Sequence, residues 1–224
     1  MTPAESGLLV IWTDVAPEAE ADFNAWYDQE HLTERVGVPG FLNGRRYVAI
    51  DGPARYLAWY ETETPDVLGS SAYGARQANP TPWTARIMPS FRNVTRVTAS
   101  RLAKAGEGLG AAAATLAVRP EAGREDALDA ALRSLVQEVG AAGFVVAAQA
   151  WRPSAADAAA GTAEAQLRAT EENPPAWGIV VEATGAEDAA AALAAAGAAD
   201  RIGDAAGGAV EIGLYRLLLA RGRF

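Results

Sequence analysis

Val15-Ala16-Pro17-Glu18-Ala19 and Val118-Arg119-Pro120-Glu121-Ala122 read alike 103 positions apart, and the same shift carries Gly40-Phe41 onto Gly143-Phe144. Two helix entrances and two strand entrances thus share one register, the pattern of an internal repeat. Further along, Tyr56-Leu57-Ala58-Trp59-Tyr60-Glu61 matches Trp177-Gly178-Ile179-Val180-Val181-Glu182 at an offset of 121. The second half therefore carries extra residues, and Pro153 to Pro175 is the segment that accommodates them.

Outward from these anchors, each half reads β-α-β-β-α-β. Leu8 to Asp14 is a short apolar run rich in Val, Ile and Trp, a strand signal. Pro17 suits the first turn of a helix, where its missing N–H costs nothing, and Glu18, Glu20 and Asp22 favour the positive end of the helix dipole. That helix is expected to reach about Arg35. Pro39-Gly40 turns into a strand from Phe41 to Ile50, and Asp51-Gly52-Pro53 marks a hairpin into Arg55 to Thr62. A second helical region, irregular around Asn79-Pro80-Thr81-Pro82, precedes a strand from Phe91 to Leu102. The second half repeats the plan with strand Ala112 to Arg119, helix Glu121 to Ala141, strand Phe144 to Arg152, strand Trp177 to Ala183, helix Ala186 to Ala199 and strand Ala209 to Arg221. Gly106-Glu107-Gly108-Leu109-Gly110 lacks the Gly-x-Gly-x-x-Gly spacing of a nucleotide loop and reads as a linker. The expected organisation is residues 1–104 as one repeat, 105–111 as linker and 112–224 as a degenerate second repeat, with its extra segment around 153–175.

Composition narrows the chemistry. The chain has 224 residues, 50% of them hydrophobic and 21% charged, enough to bury a sizeable core. A net charge of -9 argues against nucleic acid, which needs Lys and Arg concentrated on one face. Without cysteine there is no disulfide, thiolate nucleophile or Cys-ligated metal, and a single histidine rules out a His-rich metal site within one chain. The apolar run Leu8 to Trp12 is too short for a signal peptide, and nothing approaches the length of a membrane span. A cytoplasmic protein with no membrane partner and no cofactor is expected, acting on a small molecule.

A split β-α-β unit occurring twice is the ferredoxin-like plan, an α+β architecture whose antiparallel sheet carries helices on one face and leaves the other apolar. Two such sheets cover each other as a barrel, within one chain or in a homodimer. The pattern Phe23-x-x-Trp26-Tyr27-x-x-x-His31, followed by Val38-Pro39-Gly40-Phe41, Arg45-Arg46-Tyr47 and Tyr56 to Glu61, resembles the dimeric α/β-barrel superfamily, in particular its EthD-like branch. The resemblance covers Leu8 to about Leu102. It implies a barrel fold and small-molecule chemistry, with His31 as the acid or base, but it leaves the reaction open.

His31 is the only side chain here whose ordinary pKa lies near neutrality. On a regular helix Phe23, Tyr27 and Glu30 share a stripe, with Trp26 and His31 on its opposite borders, so His31 would line a cavity and still meet solvent. In the strand from Phe41 to Ile50 the period of two sends Arg45 and Tyr47 to one face and Arg46 to the other. An inward arginine would steady a substrate anion; the competing reading is an ion pair with Glu61, Asp28 or Glu34. Trp12, Trp26, Tyr27, Tyr47, Tyr60 and Trp83 are candidates for an aromatic substrate pocket. At the 103 offset Trp26 falls on Asp129, His31 on Ser134, Arg45 on Ala148 and Tyr47 on Ala150, so the second half lacks the acid–base group. Its polar segment from Glu164 to Asn173 reads as a rim or lid.

The leading expectation is a cofactor-independent lyase or isomerase type of enzyme. It would act on a small cyclic, aromatic or polyketide-type metabolite through an enol or enolate, by isomerisation, dehydration, cyclisation or decarboxylation. The alternatives are a non-catalytic ligand-binding or stress-type barrel, a cofactor-free monooxygenase, and a haem protein with His31 as axial ligand.

Overall fold

The computed structural model describes residues 5–154, 162–168 and 170–224. Residues 1–4, and parts of the extra segment at 155–161 and 169, lie outside the described residues.

The first half contains β1 (Gly7–Val15), α1 (Glu20–Trp26), α2 (Leu32–Val36), β2 (Phe41–Asp51), β3 (Tyr56–Thr62), α3 (Ser71–Ala78), α4 (Pro82–Ile87) and β4 (Phe91–Gly106). The second contains β5 (Ala112–Val118), α5 (Glu125–Gly140), β6 (Val145–Pro153), α6 (Ala163–Leu167), β7 (Glu172–Asn173), β8 (Trp177–Ala183), α7 (Ala186–Ala195), α8 (Ala198–Ala206) and β9 (Val210–Gly222). Strands of the first half lie side by side as β4-β1-β3-β2, and those of the second as β9-β5-β8-β6. Both are the order of a ferredoxin-like unit. The two sheets join because β4 and β9 are long: each pairs first within its own half and then with β6 or β2 of the other. Eight antiparallel strands thereby close a barrel within a single chain, and β7 adds a short parallel pairing to β4.

The period of two along each strand sorts side chains into separate cores. Leu8, Val10, Trp12, Tyr47, Leu57, Trp59, Trp151 and Tyr215 fill the barrel interior. Leu9, Tyr56, Ala58, Tyr60 and Val94 point outward and meet Phe23, Trp26 and Tyr27 of the first helical layer. In the second half Leu128, Leu132, Leu135, Val136 and Val139 form the apolar stripe of α5 over Leu116, Val118, Ile179 and Val181.

Three expectations need correction. The long first helix is interrupted by a π turn, Tyr27–His31. The expected helix Ala186 to Ala199 is two helices, because Gly197 takes φ +58 between α7 and α8, a left-handed conformation that ends a helix despite alanine's helical propensity. The third is register. Leu8 pairs with Glu61 as Ala113 pairs with Glu182, and Asn43 pairs with Glu61 as Ala147 pairs with Glu182. With Glu61 and Glu182 equivalent, the correspondence is 105 from β1 to β5 (Leu8 to Ala113) and 104 from β2 to β6 (Asn43 to Ala147), not 103. The sequence match at Pro17 and Pro120 aligned connecting segments, where length changes are tolerated, rather than strands. Arg45 therefore corresponds to Gln149 and Tyr47 to Trp151, both inside the barrel, rather than to Ala148 and Ala150.

Candidate active site

The π turn builds the site. In an α-helix, residues five apart lie about 140° apart around the axis, too far to stack. The wider turn returns residue 31 over residue 26, so the His31 and Trp26 rings sit 4.1 Å apart between centroids, tilted by 33°. Tyr27 meets the same imidazole edge-on at 4.9 Å. The indole N–H of Trp26 is anchored by Glu30 Oε1 and Thr84 Oγ1, each at 3.1 Å, which fixes the ring under His31.

His31 is only 5% exposed, so it does not border solvent as a regular helix would place it. It lines a small cavity between the first helical layer and the outer face of the sheet, with Tyr27, Arg35, Tyr60, Tyr73 and Glu164 among its walls. The free space is about 30 Å³, roughly one water molecule. Burial, with the Arg35 and Arg46 charges adding to it, holds the imidazole well below its ordinary value of 6.5, so it is neutral at pH 7. Its Nδ1 has no hydrogen-bond partner among the described residues.

Opposite the imidazole, the hydroxyls of Tyr27 and Tyr60 lie 3.1 Å apart. Burial raises both, Tyr60 well above its ordinary value, so both keep their protons. One hydroxyl donates to the other, which leaves the second proton of the pair free to donate elsewhere. Arg35, one helical turn after His31, is buried and bound to both carboxylate oxygens of Glu164 at 2.5 Å. Together these residues offer a neutral base, hydroxyl donors and a cation around one small space.

Several expected site residues lie elsewhere. Arg45, Tyr47 and Trp12 point into the barrel, on the other face of the sheet from His31. Arg45 Nη1 bridges Glu61 at 2.9 Å and Glu182 at 3.6 Å, and Tyr47 donates to Glu182 at 2.8 Å. Arg46 faces the helices, as the strand period requires, but it stops short of the cavity. It binds Asp28 at 2.6 Å and Asn24, with its guanidinium 4.6 Å from the Tyr27 ring centroid. Neither arginine reaches the imidazole, because each has a carboxylate nearer on its own side of the sheet. Trp83 donates to Asp22 at 2.9 Å, away from the cavity. Trp26, Tyr27 and Tyr60 do gather around His31.

Sequence reasoning missed Arg35, Tyr73 and Gln77. The spacing of four between His31 and Arg35 was the available signal, since such pairs share a helix face. Glu164, expected in a rim or lid, reaches in from the other half of the chain and is 3% exposed.

A larger cavity, about 400 Å³, opens at one end of the barrel over Trp12, Thr95 and Thr115. Its titratable lining residues are Arg119 and Glu211, paired at 3.7 Å and partly exposed, so it offers no buried proton carrier. The smaller cavity is lined by buried titratable side chains, His31, Arg35 and Glu164 among them. It does not fit a haem: Trp26 stacks on the His31 ring and Tyr27 meets it edge-on, an enclosure that leaves no room for a porphyrin plane at the imidazole. Among the described residues no helix is long and apolar enough to cross a membrane.

No protein-family model matches the chain, and no curated protein matches it. Solved structures do resemble it. An anthrone oxidase-like protein aligns over 99% of this chain and 94% of its own, with a TM-score of 0.67 and 12% identity. A candidate monooxygenase of Fusobacterium nucleatum aligns over 99% and 96%, with a TM-score of 0.62 and 9% identity. A candidate monooxygenase of Lactobacillus acidophilus aligns over 98% and 97%, with a TM-score of 0.62 and 6% identity. With the strand order above, this likeness gives the fold: the chain is a ferredoxin-like α/β barrel closed within one polypeptide.

Proposed function

We propose that the His31 cavity removes a proton from a small planar carbonyl compound, an aromatic or polyketide-type metabolite, to form an enolate. The observation that carries this reading is a buried, neutral imidazole with an unpaired Nδ1, on a ring that lines a space shared with tyrosines and arginines. The unpaired Nδ1 takes the proton. The Tyr27–Tyr60 pair and Arg35 then lie within the same small space to receive the developing oxyanion. An imidazole held low is a weak base in the empty cavity, but the enolate formed beside it restores its affinity for the proton, because the two new charges attract in a medium poor in water.

Isomerisation, dehydration, cyclisation and decarboxylation all run through this enolate, and the EthD-like pattern Phe23 to His31 supports the assignment. A second reading, oxygenation of the same enolate, draws on the structural neighbours described as anthrone oxidase-like and as monooxygenases. Both readings share the first step, so the test is made there. The protein is incubated in deuterium oxide with planar ketones carrying acidic C–H groups, anthrone among them, and exchange is followed by mass spectrometry. Wild-type protein accelerates exchange into at least one of them, and folded His31→Gln does not. Equal exchange by both proteins overturns the assignment.

A further inference from the structure

Arg35 and Glu164 stand 129 positions apart in sequence and belong to opposite halves of the chain, yet both carboxylate oxygens accept from Arg35 Nη2. Glu164 arrives on α6, a helix of five residues that packs against α3 and α4 over the mouth of the His31 cavity. Much of the remaining wall is apolar or aromatic, Leu9, Tyr27, Tyr60, Tyr73, Met88 and Phe91, and two more arginines, Arg96 and Arg168, border it, Arg168 paired with Glu172. A guanidinium buried in such a wall requires a negative partner, because an unpaired buried charge is strongly unfavourable. Glu164 supplies that partner from a five-residue helix rather than from the sheet, and Arg35 Nη1 still has no hydrogen-bond partner among the described residues. With Glu164 in place the cavity has room for about one water, so no substrate enters until that carboxylate leaves.

We propose that Glu164 stands in for the ligand: the molecule this cavity takes carries a planar oxyanion on an aromatic ring, and that anion displaces Glu164 from Arg35 as α6 opens. This rests on the reading of the cavity as the binding site, but not on proton transfer by His31. Arg35 Nη2 alone now serves both Glu164 oxygens while Nη1 is unpaired, so an aromatic carboxylate has both nitrogens of the planar fork to take. A neutral molecule of the same shape leaves Arg35 without its counter-charge once α6 opens, so it binds more weakly. The intramolecular carboxylate competes with every anionic ligand, and the apparent affinity of the wild-type protein is reduced by the fraction of molecules that are closed.

The probes are salicylate and its neutral analogue salicylamide. Occupancy is read from the Cε1–H resonance of His31, the one histidine in the chain. Salicylate shifts that resonance in wild-type protein and binds more tightly than salicylamide. Glu164→Ala tightens salicylate binding about tenfold or more. In Arg35→Met/Glu164→Gln, which removes both charges together, leaves Arg96 and Arg168 in the wall and keeps the fold testable by thermal melting, salicylate loses most of its advantage over salicylamide. Unchanged salicylate affinity in Glu164→Ala, or an undiminished preference for salicylate in the double variant, overturns the proposal. Tighter salicylate binding in Glu164→Ala, together with full deuterium exchange by His31→Gln, would keep the anion site and remove the base; the converse pattern would keep the base and remove the anion gate.

Discussion

Replacing Arg45 by Met removes the cation that two buried carboxylates share inside the barrel. Glu61 and Glu182 are 4% and 1% exposed, and Arg45 touches both. Burial raises the Glu182 carboxyl even with Arg45 and Tyr47 opposing it. At Glu61 burial also raises the carboxyl, but Arg45, the amide of Gln149 and nearby cations outweigh it and hold it below its usual value. Breaking a buried pair by deleting one partner costs about 3–5 kcal/mol, since the other charge is left uncompensated. For a chain of this length that corresponds to a fall of roughly 6–20 °C in Tm.

The loss depends on pH in a definite direction. Without Arg45 both carboxyls rise relative to the wild type, Glu182 further above its unfolded value of 4.5. A group raised in this way stabilises the fold below its unfolded value and loses that contribution as pH rises through the folded value. The deficit of Arg45→Met is therefore largest near pH 7 and shrinks as pH falls toward 4.5. Urea unfolding followed by tryptophan fluorescence at pH 7 and pH 5 measures it. A deficit under about 1 kcal/mol at pH 7, or one that is the same at both pH values, refutes the reasoning. Because Arg45 lies on the opposite face of the sheet from His31, the folded variant should retain deuterium exchange; loss of exchange without loss of stability would return Arg45 to the site.

His31 carries a linkage of opposite sign. Its folded value lies below 6.5, so the wild-type fold loses stability as pH falls through 6.5 toward that lower value. His31→Phe lacks this loss, and thermal melts should show the variant gaining on the wild type between pH 7.5 and pH 5; parallel pH profiles would contradict the burial argument. Gly44→Ala tests the seat of α2 on the sheet, since an added Cβ would come within 2.7 Å of Tyr60 Cδ1 and 2.8 Å of Leu32 Cδ1. Overpacking of this kind costs about 1–3 kcal/mol, and displacing Tyr60 should also slow deuterium exchange; an unchanged melt and rate would show that the wall yields freely.

The fold was legible because it is written in local patterns: apolar runs with period two, Pro17 and Pro120 at helix entrances, and turn residues between strands. Element order follows from these without knowledge of any long-range contact. Register does not. The bulges after Phe41 and Val145 shift pairing by a residue, and only the cross-strand partners reveal that Arg45 corresponds to Gln149. The site was legible in part for the same reason. His31, Trp26 and Tyr27 share one helix, so their proximity is local, although the π turn that stacks His31 on Trp26 has no signature in helical periodicity. The arginine expected to serve the site was sought on the adjacent strand, where Arg45 and Arg46 are each claimed by a nearer carboxylate. Arg35, one of the arginines that line the cavity, lies four residues after His31. Its partner Glu164 lies in the other half, a contact that only the closed barrel brings about.

His31 sits as a neutral imidazole in a small buried cavity, and the chain provides a direct measurement of it. With one histidine in the sequence, a carbon-13-edited proton spectrum contains one imidazole Cε1–H resonance, free of overlap with any other histidine. Following it from pH 8 to pH 4 should show a midpoint well below 6.5, or unfolding before the midpoint is reached. A complete titration of the folded protein at or above 6.5 would contradict the account, because it would place the imidazole in water or beside an anion rather than between Trp26, Tyr27 and two arginines.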